Sequence, residues 1–257
     1  MEISELKQSI KKGLINGYKQ NIHLLSSYNN FIDQVREYLL TVNVAQELLD
    51  WNKDYKYSIQ IEYPILYFYN NAFLSHYWDM TDIFNIIQVT RQLGHSPTQT
   101  LNQKIDIAIT QEQLGNLAST QDRTLCGIEL KGINKNPSEI INDLERMSLA
   151  MSHTDPISEN SIEFSFCGFI KRFDKNENIV TSTYIQNVTT DEQNKWAEIC
   201  NDLAKIYSRL NFTVEHFPIE SATLEMVRDR YNADNDYSEV ANDTGIVVGY
   251  LLTITRK

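Results

Sequence analysis

The spacing of apolar residues along the 257-residue chain switches between helical and strand periods, and the switches mark out its elements. Ile3, Leu6, Ile10 and Leu14 recur every three to four residues. Phe31, Val35, Tyr38, Leu39, Val42, Leu48 and Leu49 do the same across 29–51, so the chain is predicted to open with two helices. Tyr57 to Tyr63 then alternates as a strand does and stops at Pro64; the apolar run Ile65 to Tyr69 either extends it or pairs back on it. Within the ambiguous stretch 70–100, Thr81 to Leu93 fits a helix closed by Gly94 and a Ser96-Pro97 turn. Strands follow at 104–110 and 124–131, joined by a polar loop.

Asn136-Pro-Ser-Glu139 reads as a helix start: Asn can cap, Pro suits the first turn, and Glu139 closes a capping box. Behind it Ile140, Ile141, Leu144, Met147 and Met151 form an apolar stripe, with Asp143, Glu145 and Arg146 on the other face. A strand is expected at 162–171, a turn at 174–178 and a further strand at 179–186. Thr189 and Glu192 open a long helix carrying Trp196, Ile199, Leu203, Ile206 and Leu210 on one side. A strand near 212–217, a helix near 221–231, an acidic loop and a strand at 246–255 complete the order. No repeat or low-complexity linker interrupts it. The expectation is one α/β domain of mixed α+β character, with a central mixed sheet flanked by helices. Its core spans about 28–186, preceded by an N-terminal helix (1–27) and followed by a helix and strand extension (187–257).

Charge and composition narrow the function. The net charge of −11 argues against a nucleic-acid coat protein, whose affinity comes from neutralising phosphates with Lys and Arg, but leaves room for a local site, a metal or a basic partner. No apolar run reaches membrane-spanning length, and Met-Glu-Ile-Ser-Glu-Leu-Lys lacks the apolar core of a signal peptide. Cys126, Cys167 and Cys200 are odd in number, far apart and set in apolar patterns, so buried free thiols in a reducing cytoplasm are expected. His23, His76, His95, His153 and His216 have no metal spacing. Asp234, Asp236, Glu239 and Asp243 lack the glycine and spacing of a calcium loop, so a solvated acidic loop is the simpler reading. Tyr63, Tyr67, Tyr69 and Tyr77 could stack on bases, though core packing is the commoner use. Neither a phosphate-gripping glycine loop nor a Ser-centred nucleophile elbow occurs.

The chemistry concentrates in the two strands at 104–110 and 124–131. Ile105, Ile107 and Ile109 alternate with Lys104, Asp106, Ala108 and Thr110; Cys126, Ile128 and Leu130 alternate with Gly127, Glu129 and Lys131. Side chains on a strand change face at each residue, so Asp106 points away from its apolar face and Glu129 and Lys131 point away from theirs. Paired as neighbours, the strands would bring two carboxylates and an ammonium onto one surface, a hard-cation site with a proton-handling group beside it.

Helix, strand, strand with Asp106, strand with Glu129-Leu-Lys131, helix, strand: this order resembles the core of the PD-(D/E)xK nuclease superfamily, the restriction-endonuclease-like fold. The matching residues are Ile105-Asp106-Ile107 and Ile128-Glu129-Leu130-Lys131, with Ile105 where the superfamily's name has Pro; the helix bearing Asp143-Leu-Glu-Arg146-Met147 is similar to the one that follows the Glu-x-Lys strand in many members. The resemblance covers a third to a half of the chain. It implies Mg²⁺, with Mn²⁺ as a substitute, bound by Asp106, Glu129 and the Leu130 carbonyl, and Lys131 orienting or deprotonating water and stabilising negative charge. An upstream glutamate often completes such sites; Glu62 is the first choice and Glu47 the second. The implied activity is a Mg²⁺-dependent deoxyribonuclease in restriction or anti-phage defence, working on DNA as a homodimer or as a subunit of a defence complex, away from membranes. Two alternatives stand beside it: an RNA nuclease or nucleotide-signal-activated nuclease of the same fold, and a non-catalytic acidic interaction or inhibitor protein.

Overall fold

A computed structural model describes residues 1–25, 37–65, 67–68, 103–112, 122–152, 162–173, 182–222 and 245–257. Their elements are α1 (Ile3–Leu25), α2 (Glu37–Trp51), β1 (Ser58–Pro64), β2 (Lys104–Glu112), β3 (Asp122–Ile133), α3 (Pro137–Ser152), β4 (Phe164–Phe173), α4 (Ser182–Ile206), β5 (Leu210–Ala222) and β6 (Gly245–Arg256). The strands form one six-stranded mixed sheet in the order β1-β2-β3-β4-β6-β5. β1, β2 and β3 are an antiparallel meander. The chain then crosses over through α3, so that β4 runs parallel to β3, as a crossover helix permits. β6 follows β5 in the chain but lies between β4 and β5, antiparallel to both.

Helices cover both faces of the sheet. On one face, α1 and α2 bury Leu6, Ile10, Leu14, Leu40, Val44 and Leu48 against Ile107, Ile109, Cys126, Ile128 and Leu130. The two helices approach closely because α1 has glycine at the contacts: a Cβ on Gly13 would overlap the Val44 backbone, and one on Gly17 would lie 3.0 Å from Leu40 Cα. On the other face, α3 and α4 bury Ile140, Leu144, Met147, Trp196 and Leu203 against Ala108, Cys167, Phe169 and Tyr250. Trp196 and Tyr250 flank Phe169 with ring centroids at 4.9 and 5.2 Å, favourable aromatic spacings. Cys126, Cys167 and Cys200 are buried free thiols. Among the described residues no helix is long and apolar enough to cross a membrane.

Several expectations need correction. The segment 182–186 is the first turn of α4, not a strand, and that helix begins well before Thr189. Thr189 sits inside it, its hydroxyl donating to the Ile185 carbonyl at 2.8 Å, a local bond that lets Thr sit mid-helix. Tyr184, Ile185 and Val188 pack on the core at helical spacing, and this outweighs the strand propensity of the segment. Ser221 and Ala222 extend β5 instead of opening a helix. Ile65, Tyr67 and Phe68, the described residues of the run after Pro64, are helical and not part of a strand. Ile206 is 67% exposed, off the buried side of α4. The expected helix at 81–93, the acidic loop with Asp234, Asp236, Glu239 and Asp243, and residues 29–36 and 223–231 lie outside the described residues, as do His76, His95, His153, Tyr69 and Tyr77.

Candidate active site

Asp106 and Glu129 meet where β2 and β3 part. Their ladder runs from Glu112–Asp122 to Ile107–Ile128 and stops there. One residue further, Asp106 stands on β2 and Glu129 on β3, while Lys104 and Ile105 remain paired to β1. The Asp106 carboxylate replaces the missing ladder partner: its Oδ2 accepts the Leu130 N–H at 2.7 Å. The β1–β2 pairing is irregular at the same level. Glu62 lies between the pairs Ile61–Ile107 and Tyr63–Ile105 with φ 54°, a left-handed backbone that non-glycine residues seldom adopt. Strict alternation fails here too: Ile105 packs with Tyr63 and Phe68 on the α3 side, whereas Ile107 and Ile109 pack on the α1–α2 side.

The face bearing Glu129 and Lys131 is not open to solvent, as alternation alone would suggest. It lies under α3, and Glu129 is 2% exposed. The helix start predicted at Asn136 forms, with Asn136 Oδ1 accepting the Ser138 N–H at 3.1 Å and Pro137 in the first turn. This fixes α3 so that Asp143 and Arg146, one turn apart, face the strands. Asp143 is 7% exposed, so it is not on a solvated face. Its Oδ2 lies 2.8 Å from the Lys131 ammonium, and its Oδ1 accepts from Arg146 Nη2 at 2.8 Å. The same Nη2 donates to Glu129 Oε1, and Nη1 donates to Gln103 Oε1 at 3.0 Å. Arg146 therefore joins the loop before β2, strand β3 and helix α3.

Five charged groups thus share one largely buried volume: carboxylates Asp106, Glu129 and Asp143 against cations Lys131 and Arg146. The acids outnumber the bases by one. Burial raises the affinity of Glu129 for a proton well above the usual carboxylate range; Arg146 opposes this, and the neighbouring Asp106 and Asp143 add to it. Burial raises Asp106 also, against the Leu130 N–H and Lys131, and its carboxyl is within hydrogen-bonding reach of Glu129. Each of the two carboxyls therefore favours its neutral form more than a solvated acid does, and a positive charge beside them relieves both. Burial would lower Lys131, but Asp143, Glu129 and Asp106 together raise it above the ordinary lysine value, so it stays an ammonium.

The structure brings together Asp106, Glu129 and Lys131, as expected, and adds Asp143 and Arg146. The sequence signal for the added pair is an Asp and an Arg three apart, flanking Leu144 and Met147 of the buried stripe. Glu62 is about half exposed and pairs with Lys104 at 2.7 Å; among the described residues nothing ties it to Asp106 or Glu129. Glu47 lies in the other layer, bound to Lys12 at 2.6 Å and Asn16 at 2.9 Å. His216 stands on the edge strand β5, away from the site, where it bonds Gln193 of α4. Tyr63 is buried and Tyr67 half exposed.

Among the described residues no three His, Cys, Asp or Glu side chains converge on one cation position. Asp106 and Glu129 form a pair of hard oxygen donors. Mg²⁺ commonly takes one or two carboxylates and fills its remaining positions with water and substrate phosphate, so this donor set fits such an ion. No family model matches the chain, and neither does any curated protein or solved structure.

Proposed function

We propose that the chain is a divalent-cation-dependent phosphodiesterase of the restriction-endonuclease-like kind, acting on DNA. The observation that carries this reading is the contact of Asp106 and Glu129 at the parting of two antiparallel strands, with Lys131 two residues on. The topology supports it: a helix, a three-stranded meander, a crossover helix and a parallel fourth strand is the order the resemblance implies. Asp106 and Glu129 would hold the cation, with the Leu130 carbonyl as a further ligand, and the cation would polarise the phosphate and orient the attacking water.

The chain's own groups divide the remaining work. Lys131 stays protonated and stabilises negative charge developing on the phosphate; Asp143 keeps it aimed. A positioned acid or base contributes about 3–5 kcal/mol, its typical 10²–10⁴-fold. Enzymes commonly supply about 8–23 kcal/mol, so electrostatics must carry most of the barrier reduction. Asp106, Lys131 and Arg146 are partly exposed whereas Glu129 and Asp143 are buried, so a phosphate would approach past those three side chains. Restriction or anti-phage defence is the proposed setting, as a homodimer or within a complex that delivers this acidic chain to DNA.

The test is cleavage of double-stranded DNA, single-stranded DNA and RNA with Mg²⁺ or Mn²⁺, by the wild type and by Asp106→Ala, Glu129→Ala and Lys131→Ala proteins that retain native circular dichroism. Loss of cleavage in all three supports the proposal, and the preferred substrate separates DNA from RNA. One observation favours a second reading: every carboxylate of the cluster already touches a cation or an N–H, so the network can be a purely structural clamp between α3 and the sheet. Full activity in all three variants, or no cation binding by the wild type, selects that clamp.

A further inference from the structure

Arg146 occupies the place of a counter-cation to Glu129. Its Nη2 is shared by Glu129 Oε1 and Asp143 Oδ1, and Nη1 is held by Gln103. The guanidinium is thus anchored at two points besides Glu129, one on α3 itself and one before β2. Breaking the Glu129 contact would leave it with charged and neutral acceptors still in place, which removes the usual heavy penalty of stranding a buried charge. Among the described residues Arg146 is the one cation in salt-bridge contact with Glu129, and the Asp106 carboxylate lies beside it, so a cation held between the two acids would take the place of Arg146.

We propose that Arg146 is a positioning residue that antagonises the divalent cation: it holds Glu129 in a closed arrangement, and cation occupancy exchanges the Arg146–Glu129 bond for a cation–Glu129 bond while Arg146 stays on Asp143 and Gln103. The inference rests on the cation site proposed above. It makes the empty and loaded forms of the site two arrangements of one side chain, and it sets the cation affinity below what the two carboxylates alone would give.

The test is Mn²⁺ binding to the purified full chain, read by the electron paramagnetic resonance signal of free Mn²⁺, without any activity measurement. Arg146→Gln should tighten binding tenfold or more. Arg146→Lys, which keeps a charge but cannot bridge Glu129, Asp143 and Gln103 together, should tighten it several-fold and decides the matter if the Gln variant does not fold. Glu129→Gln should abolish binding. Arg146 variants that bind Mn²⁺ no more tightly than the wild type, with Glu129→Gln still inactive in binding, overturn the antagonist role and leave the cation site standing. Equal binding by wild type and Glu129→Gln, or none by any protein at millimolar Mn²⁺, removes the cation site itself and the inference with it.

Discussion

Asp106→Asn should make the folded protein more stable while removing one of the two carboxylates of the proposed cation site. The amide keeps the shape of the carboxylate, its oxygen can still accept the Leu130 N–H, and its NH₂ can donate to Glu129. What disappears is one of three carboxylates facing two cations. Two like charges about 4 Å apart at a partly screened protein site repel by roughly 4 kcal/mol. Lys131 and Arg146 offset much of that, which leaves a net relief of about 1–2 kcal/mol. For a chain of this size that raises the melting temperature by about 2–8 °C. The pH dependence gives a second handle. Asp106 and Glu129 bind protons more tightly folded than unfolded, so between the unfolded carboxylate values near 4 and the raised folded values the native state holds more protons. Stability of the wild type should therefore fall as pH climbs through that window and level off above it. The Asn variant should show a flatter profile. Melting curves by circular dichroism from pH 4.5 to 8.5, without divalent ions, measure both. A variant that melts lower than wild type at pH 7.5 would refute the reasoning, because it would make the ionised Asp106 a structural keystone.

Other outcomes follow from the packing. Trp196→Ala should cost about 3–5 kcal/mol, since it empties a buried site against Phe169 and leaves the Glu192 carboxylate without its indole donor at 2.9 Å; chemical denaturation reads the loss. Gly13→Ala should cost about 1–3 kcal/mol through overlap with the Val44 backbone, visible as a lower denaturation midpoint with circular dichroism unchanged in native buffer. Cys126, Cys167 and Cys200, whose thiol pKa values burial pushes up, should resist a thiol-reactive disulfide reagent until denaturant is added; fast native labelling of any of them would contradict their burial.

The parts of the site that could be read from the chain are those whose local pattern and final environment agree. Apart from the break at Ile105, strands β2 and β3 alternate as their sequences do, and Asn136-Pro137 marks the start of α3. The period of α3 places Asp143 and Arg146 only opposite the apolar stripe; the structure turns them toward the sheet because each finds its counter-charge on β3, information that no local period contains. The exposed surface expected in front of Glu129 was lost for the same reason, since only the tertiary fold reveals that α3 covers it. At 182–186, Ser-Thr-Tyr-Ile-Gln favours a strand locally, and the helix is selected by the continuation of its contacts through Val188, Glu192 and Trp196. Glu62 does lie on the first strand, but its left-handed backbone, invisible in sequence, accompanies a side chain paired with Lys104.

The insertion of β6 between β4 and β5 has a consequence for how the polypeptide is made. Emerging from the ribosome, β4 presents a bare row of peptide groups on the side away from β3, and β5 has no sheet to join, until the residues of β6 are synthesised and can slot between them. Through that interval the nascent chain carries an open, apolar edge of the kind that recruits foreign strands. Maturation of the β1–β4 half is therefore tied to completion of a segment that ends roughly eighty residues beyond β4, and slow synthesis through α4 and β5 should prolong dependence on chaperones.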